Sequence, residues 1–522
     1  MNPSREELLQ RLADNPKPWD LIVIGGGATG LGAAVDGASR GYRTLLLEQG
    51  DFACGTSSRS TKLIHGGVRY LKQGNLFLVR EALRERHFLF NNAPHLVHDM
   101  PFVIPLYKWW ERPLFGIGMA LYDFLSGAHG LKHSRHISRE ETIELIPNIR
   151  QHGLRGGVVY HDGQFDDARL AICLARTLVD LGGTPLNYMN VSGFINESGR
   201  ITKVVALDCE SGREYILSAR SVINATGVLC DQVRRMDEPS SAPLITMSQG
   251  THLVLDRTFM PGNCAAMIPH TDDDRIFFAI PWYNHVIVGT TDTPVSSTAE
   301  PVPLSDEIDF LLAHAGRYLT RQPARSDILS CFAGLRPLAR GKGRQNTALL
   351  SREYQLSVSR SGLVSITGGK WTTYRSMAVA AVDAAAREGG LDTRRSATSS
   401  LRLHGWESPA SPPAIWSQYG TDRSLLEQLS LEQKEWKEQL HPRLPCSRGE
   451  IIWAVRFEWA RNVEDVLARR TRALFLDAGA SREIAPQVAA LMAAELGLDE
   501  AWQARQLEKF NAAAAQYEAG AL

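Results

Sequence analysis

The fold is decided by residues 19–48, which read WDLIVIGGGATGLGAAVDGASRGYRTLLLE. The apolar run from Trp19 to Ile24 predicts a short buried strand. The small residues of 28–40 favour a helix, and Thr44 to Glu48 predicts the strand that follows it. A strand, a glycine-rich turn, a helix and a second strand form the opening unit of a doubly wound nucleotide-binding fold.

The turn carries the spacing Gly-x-Gly-x-x-Gly at Gly25, Gly27 and Gly30. Glycines at these places let the backbone approach a pyrophosphate, which binds at the positive N-terminal end of the helix. Glu48 ends the second strand, where a carboxylate accepts hydrogen bonds from an adenosine ribose. An acid at that position favours a ribose without a 2′-phosphate, so the sequence predicts FAD or NAD as the cofactor rather than NADP.

Length, charge and cysteine usage narrow the class of protein. A chain of 522 residues is too long for one compact core and predicts two or three domains. Lys and Arg together number 57, as do Asp and Glu, and this zero net charge argues against a nucleic-acid partner. The seven cysteines lack metal-ligand spacing, so we expect reduced thiols in the cytoplasm and no metal site. We expect neither an export signal nor a membrane-spanning helix.

Three further segments combine glycines with polar side chains. Residues 54–70 read CGTSSRSTKLIHGGVRY, residues 222–227 read VINATG, and residues 367–375 read TGGKWTTYR. Hydroxyl and backbone N–H groups can hold phosphate and ribityl groups, and a glycine pair allows close approach to a flat ring. A solvated loop at 54–70 and a simple helix cap at 367–375 are the alternatives. The predicted cofactor-binding residues in these segments are Thr56, Ser57, Ser58, Ser60, Lys62, His65, Gly66, Gly67, Ala225, Thr226, Gly227, Gly368 and Gly369.

These segments resemble the flavin-linked, respiratory sn-glycerol-3-phosphate dehydrogenases of the D-amino-acid-oxidase superfamily. The runs SSRSTKLIHGGVRYL (57–71) and GGKWTTYR (368–375) are particular to that family. The likeness continues through FAGLRP (332–337) and into AVRFEWAR (454–461) and DVLARRTR (465–472), so it covers nearly the whole chain.

The expected fold class is α/β, with a Rossmann-like FAD-binding domain, an antiparallel-sheet substrate domain and a helical C-terminal domain. The helical domain is also indicated by the Leu-, Ala-, Glu- and Arg-rich periodicity after about residue 395. The predicted ranges are 18–85, 150–245 and 340–395 for the FAD-binding domain, 86–149 and 246–339 for the substrate domain, and 396–522 for the helical domain.

The resemblance implies oxidation of sn-glycerol 3-phosphate to dihydroxyacetone phosphate, with hydride passing from C2 to non-covalently bound FAD and electrons passing to a membrane quinone. A phosphate dianion needs cations, and the C2 hydroxyl proton needs an acceptor. The resemblance implies Arg69, Tyr70, Lys370 and Thr373 for the phosphate side of the substrate. Lys370 is also assigned to catalysis, because its charge lies at a helix N-terminus beside the flavin.

His252 and Arg336 resemble the family positions that face the substrate hydroxyl. His252 is the natural base because of its ordinary pKa, although a structural, hydrogen-bonded histidine is the alternative. Arg336 would stabilise the developing alkoxide. Two pairs of titratable residues outside these motifs are interpreted structurally, His161-Asp162 as a turn and Asp166-Asp167 as a helix N-terminus.

Tyr107 to Leu125 mixes aromatic and aliphatic residues with Lys108 and Arg112. This composition suits an amphipathic helix that lies on a bilayer surface, and a core-facing helix or an oligomer contact is the alternative. We therefore expect a protein that is peripherally associated with the inner membrane from the cytoplasmic side. A homodimer is a further expectation that the sequence leaves open.

Three other functions compete with this one. A soluble glycerol-3-phosphate oxidase would pass the electrons to oxygen and release hydrogen peroxide. A non-catalytic FAD-binding or tRNA-modifying protein would want a basic surface, which the zero net charge argues against. An amine or amino-acid oxidase of the same fold would lack the Gly-Gly-Lys-Trp run at 368–371.

Overall fold

The computed structural model describes residues 3–13, 17–67, 75–269, 276–296, 300–340, 354–408 and 416–521. The strands, numbered in chain order, are β1 (Trp19–Ile24), β2 (Thr44–Leu47), β3 (Leu63–Ile64), β4 (Val97–Leu106), β5 (Arg135–Ile137), β6 (Gly156–Phe165), β7 (Thr184–Leu186), β8 (Met189–Glu197), β9 (Arg200–Asp208), β10 (Glu214–Asn224), β11 (Ile245–Asp256), β12 (Ala265–Ile268), β13 (Phe277–Trp282), β14 (His285–Gly289), β15 (Thr293–Val295), β16 (Ile328–Ala339), β17 (Tyr354–Val358), β18 (Leu363–Gly368), β19 (Gln439–His441) and β20 (Leu444–Ser447).

The α-helices are α1 (Arg5–Ala13), α2 (Ala28–Ser39), α3 (Leu76–Asn92), α4 (Glu111–Ser126), α5 (Arg139–Leu145), α6 (Asp167–Asp180), α7 (Cys230–Asp237), α8 (Ser305–Tyr318), α9 (Tyr374–Glu388), α10 (Arg423–Glu432), α11 (Arg448–Phe457), α12 (Ala473–Leu476), α13 (Ala478–Leu496) and α14 (Glu500–Ala515). Among the described residues, none of these helices combines the length and the apolar character that a bilayer crossing requires.

The first sheet has the strand order β17-β18-β10-β1-β2-β7, with β9 attached to β10 and β8 attached to β9. Strands β18, β10, β1, β2 and β7 run parallel, and α2 packs between α6 and α9. The turn between β1 and α2 requires glycine, because a Cβ at Gly30 would lie 1.8 Å from the carbonyl oxygen of Gly25. Gly25 itself has a φ of +106°, which a residue with a side chain rarely adopts. The predicted β1-turn-α2-β2 unit is confirmed.

The second sheet has ten strands in the order β15-β11-β14-β13-β12-β4-β6-β3, with β16 on β11 and β5 on β6. Its pairs are antiparallel except for β12 and β4. The prediction of a turn at His161-Asp162 is wrong, because both residues belong to β6 and pair with Pro101 and Met100 of β4. Strands β3 and β6 join this sheet, which therefore draws residues from inside the ranges predicted for the FAD-binding domain.

The C-terminal helices pack against the second sheet and share a hydrophobic core with it. Val254 of β11, Ile287 of β14 and Phe332 of β16 lie in the same buried cluster as Phe475 and Ile484. A π-helical turn at Asp465–Arg470 and the small β19–β20 hairpin interrupt the helices. The C-terminal region therefore lies against the back of the strands that carry several candidate site residues.

Candidate active site

The four predicted cofactor segments meet at one cavity of about 600 Å³ between the two sheets. Gly30, Ser58, Lys62, Gly66 and Thr373 do not line this cavity, and Arg69 and Tyr70 lie outside the described residues. The predicted site residues that do line it are Gly25, Gly27, Glu48, Thr56, Ser57, Ser60, His65, Gly67, Ala225, Thr226, Gly227, His252, Arg336, Gly368, Gly369 and Lys370.

At the N-terminus of α2, the cavity is lined by Gly25 and Gly27, which have no side chains, and by Ser57 and Glu48. The hydroxyl of Ser57 accepts a hydrogen bond of 2.9 Å from the Ala28 N–H, and a Cβ at Gly27 would lie 3.0 Å from that hydroxyl. Glu48 accepts hydrogen bonds from the N–H groups of Gly26 at 2.6 Å and Gly50 at 2.8 Å. Burial raises the pKa of Glu48 even though these two donors oppose the shift.

His252 lies on β11 with its imidazole buried in the cavity wall. Its Nε2 is 2.9 Å from the hydroxyl of Thr61, and its ring stacks on Phe332 with centroids 4.9 Å apart. Burial lowers the pKa of His252 well below its ordinary value, and the nearby Lys62 and Arg336 lower it further. The imidazole is therefore neutral at physiological pH.

Arg336 of β16 is held in one orientation from several directions. Its guanidinium pairs with Asp292 at 3.3 Å and donates to the Gln249 carbonyl at 3.2 Å. It also donates to the Thr290 hydroxyl and the Thr291 carbonyl, each at 3.1 Å. A Cβ on the neighbouring Gly250 would lie 2.0 Å from the guanidinium, so only glycine leaves room for this placement.

Lys370 follows the glycine pair at the end of β18 and precedes the short 3₁₀ turn Trp371–Thr373. This turn is tied to the segment of residues 56–67, because the Trp371 indole donates to the Ser57 carbonyl at 2.8 Å and the Thr372 hydroxyl donates to the His65 carbonyl at 3.5 Å. The hydroxyl of Thr373 instead donates to the Lys370 carbonyl at 3.3 Å. Lys370 thus reaches the cavity from a rigid turn, while Thr373 supports that turn.

The cavity also contains functional candidates that the sequence motifs do not reveal. Arg59 and Thr61 line the cavity, and Arg59 is buried in an ion pair with Glu300. Asp292 also lines it and pairs with Arg336. Glu307 accepts hydrogen bonds from Gln249, Thr251, Thr291 and Thr293, which orders the loop that carries Asp292. The run TTDT at 290–293, directly after a buried strand, is the signal that could have revealed this group.

The residues of the cavity fit a flavin dinucleotide. The helix N-terminus, the side-chain-free turn and the buried Glu48 suit the pyrophosphate and adenosine ribose. Gly67, Gly368 and Gly369 also line the same cavity and leave room for a flat ring. Gly369 has a φ of +69°, and a Cβ there would lie 2.2 Å from the Met377 sulfur.

Comparison with known proteins agrees with this geometry. A family model described as FAD dependent oxidoreductase matches residues 20–375, and one described as C-terminal domain of alpha-glycerophosphate oxidase matches residues 371–503. A probable mitochondrial glycerol-3-phosphate dehydrogenase of Caenorhabditis elegans is 38% identical over 540 residues, covering 97% of this chain and 74% of that relative. The mitochondrial glycerol-3-phosphate dehydrogenase SDP6 of Arabidopsis thaliana is 39% identical over 536 residues, covering 94% and 85%.

The structural comparison gives the same result. The structure of the glycerol-3-phosphate dehydrogenase from Bacillus halodurans complexed with FAD matches with a TM-score of 0.80 at 29% identity, over 98% of this chain and 97% of that one. The predicted fold class and FAD as cofactor are confirmed. The chain belongs to the glycerol-3-phosphate dehydrogenase family of FAD-dependent oxidoreductases.

Proposed function

We propose that this chain oxidises sn-glycerol 3-phosphate to dihydroxyacetone phosphate and passes the electrons to a membrane quinone. FAD, when bound, supplies the acceptor for the hydride from C2 of the substrate. The proposal rests on the shared cavity. Among the described residues, a dinucleotide-binding turn meets there two imidazoles, His65 and His252, and three cationic side chains, Arg59, Arg336 and Lys370. Such a set can bind a phosphate dianion and accept the proton of a secondary alcohol.

In this proposal His252 takes the proton of the C2 hydroxyl at Nε2. Its other ring nitrogen, Nδ1, is buried and has no hydrogen-bond partner within the described ranges, whereas Nε2 contacts the Thr61 hydroxyl. A base must be unprotonated to act, and the lowered pKa of His252 keeps the imidazole neutral across the physiological range. Thr61 orients the ring, and the stacking on Phe332 restricts its rotation.

Arg336 supplies positive charge near the C2 oxygen of the substrate, and Lys370 supplies it near the phosphate. Arg336 is already oriented by Asp292, Thr290 and backbone carbonyls, so it needs no reorganisation as negative charge develops on the C2 oxygen. Lys370 extends from a turn that follows a glycine pair and is proposed to contact the substrate phosphate, together with Arg69 and Tyr70. Thr373 is proposed to assist by fixing the Lys370 backbone.

The electron acceptor is tested with enzyme that has first been reduced by glycerol 3-phosphate without oxygen. We expect a water-soluble quinone to reoxidise the flavin rapidly, and air-saturated buffer to do so slowly and with little hydrogen peroxide. Fast reoxidation by oxygen with stoichiometric peroxide would instead establish the oxidase alternative. Both outcomes are compatible with glycerol 3-phosphate as the substrate, because they differ only in the electron acceptor.

We expect the FAD to be bound without a covalent bond. Cys54, which lines the cavity, has a pKa raised well above its ordinary value by burial and by Glu48, so its nucleophilic thiolate is disfavoured. The purified protein should be yellow, and acid precipitation should release intact FAD into the supernatant. Flavin that stays in the washed pellet would show a covalent attachment.

Helix α4 supports the proposed association with a membrane. Its outer face carries a continuous apolar stripe at helical spacing, formed by Trp110, Leu114, Ile117, Leu121 and Phe124, all of them exposed. Trp109, two residues before the first residue of the helix, is 75% exposed. Exposed apolar area of this kind is unfavourable in water and suits the interfacial layer of a bilayer.

The inner face of α4 contacts the wall of the cavity. The Tyr122 hydroxyl accepts a hydrogen bond of 3.0 Å from the Gly66 N–H and donates to Asp162. A Cβ at Gly66 would lie 2.2 Å from that hydroxyl, so the two groups are in direct contact. One helix therefore lies between the proposed bilayer surface and the predicted flavin segment, which favours a quinone that is dissolved in the bilayer as the acceptor.

The membrane proposal predicts the behaviour of a triple variant. Changing Trp109, Ile117 and Phe124 to Ser should abolish most sedimentation with anionic liposomes and slow the reduction of a lipid-soluble quinone. The reason is that binding loses about 25 cal/mol for each Å² of apolar surface that no longer enters the bilayer. Activity with a soluble dye should persist. Phe115 is unsuitable for this test because it packs partly buried against the second sheet.

The matched control changes Leu425, Leu431 and Leu498 to Ser, since these leucines are exposed on the C-terminal domain. It should sediment like the wild-type protein. Equal sedimentation of all three proteins would place the docking surface elsewhere.

A further inference from the structure

The segment Thr56–Lys62 presents two different sides. Thr56, Ser57, Arg59 and Thr61 line the cavity, whereas Ser58 and Lys62 lie outside it and are buried. Ser60 also lines the cavity, but its hydroxyl donates to Asp167 on the other side. The side of the segment toward the cavity carries the contacts to the α2 N-terminus and to His252. The contacts of Ser58 and Lys62 on the other side therefore determine where Ser57, Arg59 and Thr61 lie in the cavity.

Asp167, at the N-terminus of α6, is the centre of the contacts on that other side. Its Oδ2 accepts from the Lys62 ammonium at 2.7 Å and from the Ser60 hydroxyl at 2.7 Å and backbone N–H at 3.1 Å. The same ammonium donates to the Ser58 carbonyl at 2.6 Å. Lys62 and Asp167 are both fully buried, so this ion pair is shielded from solvent.

The second cation at Asp167 comes from the helical C-terminal domain. Arg472 is buried, with a φ of +65°, and its Nη2 donates to the Ser58 carbonyl at 2.9 Å and to Asp167 Oδ1 at 3.1 Å. Its guanidinium lies 4.3 Å from the centroid of the Phe475 ring. Lys62 and Arg472 thus hold the same carbonyl and the same carboxylate.

This cluster is connected to His252 by two contacts. Thr61, which lies next to Lys62 in the chain, has its hydroxyl 2.9 Å from His252 Nε2. Phe332, on which His252 stacks, has its ring centroid 5.2 Å from the Lys62 ammonium and 4.9 Å from the Phe475 ring. A shift of the cluster would move both groups that orient the imidazole.

We infer that Lys62, Asp167 and Arg472 are positioning residues that act from behind the cavity to hold Thr61 and His252 in their reactive geometry. This inference rests on the proposed function, because it concerns the orientation of the proposed base. It makes the C-terminal domain a necessary part of the active site, through Arg472. It also gives Lys62 and Ser58 a role in placing the cofactor segment rather than in contacting the cofactor.

The test removes the ion pair while keeping the charge balanced, in the double variant Lys62→Met/Asp167→Asn. The matched control is Arg169→Met/Glu458→Gln. Arg169 and Glu458 form another buried ion pair, at 2.7 Å, between the same helix α6 and the same C-terminal domain, without a contact to residues 56–62. The FAD-loaded fraction of each protein is mixed with saturating glycerol 3-phosphate under anaerobic conditions, and the melting temperature is recorded alongside.

We expect both double variants to melt at a lower temperature than the wild type. Only Lys62→Met/Asp167→Asn should also reduce its flavin more slowly, by roughly 10- to 100-fold, since a small displacement of a catalytic group lowers the rate by about this factor. Equal reduction rates for the FAD-loaded fractions of the two variants would overturn the positioning role. Wild-type flavin that glycerol 3-phosphate does not reduce would contradict the proposed function itself.

The single variant Arg472→Lys decides the question if the double variant fails to fold. The two arms of the guanidinium have separate partners, since Nη1 donates to the Ala468 carbonyl at 2.7 Å while Nη2 donates to Ser58 and Asp167. Lysine keeps the charge but has no planar, two-armed group that can hold all three acceptors at once. We expect a reduction rate about three- to tenfold below wild type at saturating substrate, with FAD still bound. An unchanged rate would overturn the inference.

Discussion

Replacing His252 by Asn is expected to slow reduction of the bound flavin by about 100- to 10,000-fold, the range that general base catalysis typically contributes. Asparagine can still contact the Thr61 hydroxyl, so the wall of the cavity stays polar, but it cannot take the proton of the C2 hydroxyl. The rate is measured by rapid mixing of FAD-loaded protein with saturating glycerol 3-phosphate in the absence of oxygen.

The pH dependence of the same rate adds a second expectation. Burial, Lys62 and Arg336 lower the pKa of His252, and a base loses activity only when it becomes protonated. The wild-type rate should therefore stay level as pH falls from neutrality through 6.5, the ordinary histidine pKa, and decline only below it. This decline should be absent in the Asn variant.

A suitable control is His314→Asn, because His314 is a buried histidine on α8 that does not line the cavity. It should reduce its flavin at the wild-type rate. A small loss in the His252 variant, with the same pH profile as the wild type, would assign the imidazole a structural role and leave proton removal to another group.

The second large effect is expected from Lys370→Met. Loss of a charge-assisted contact to a phosphate costs about 1.5 to 3 kcal/mol, which corresponds to roughly a 10- to 100-fold fall in kcat/KM. FAD should stay bound, because the α2 N-terminus and Glu48 lie elsewhere in the cavity and are unchanged. Steady-state kinetics with a soluble dye and the flavin content of the purified variant check both points.

Arg387→Met provides the charge-matched control, since Arg387 is exposed near the C-terminal end of α9. It should leave kcat/KM unchanged. Turnover by the Lys370 variant that matches this control would remove Lys370 from the substrate site.

The nucleotide-binding unit could be predicted because its signals are local. The alternation of a strand, three glycines and a helix lies within 30 consecutive residues, and the predicted β1 ends where the structure ends it. The turn predicted at His161-Asp162 failed because long-range contacts decide that segment. Asp162 pairs with Arg86, and His161 contacts Asp99 at 2.7 Å, so both are held in a strand.

Which residues of 56–62 line the cavity and which are buried behind it could not be predicted from the sequence. Ser58 and Lys62 have the same residue types as cofactor-binding groups, and their orientation depends on Asp167 and Arg472, which are far away in the chain. Asp167 and Arg472 are themselves separated by 305 positions. Periodicity and motif spacing carry no information about a contact between residues so far apart in the chain. The contact between Asp167 and Arg472 is therefore visible only in the folded structure.

Whether the bound flavin oxidises sn-glycerol 3-phosphate is tested by a single-turnover experiment with the FAD-loaded protein under anaerobic conditions. Addition of sn-glycerol 3-phosphate should bleach the visible absorbance of the oxidised flavin and yield one dihydroxyacetone phosphate per flavin. Glycerol, which lacks the phosphate that the cationic side chains would bind, should leave the spectrum almost unchanged on the same timescale. A flavin that remains oxidised with sn-glycerol 3-phosphate would contradict the account.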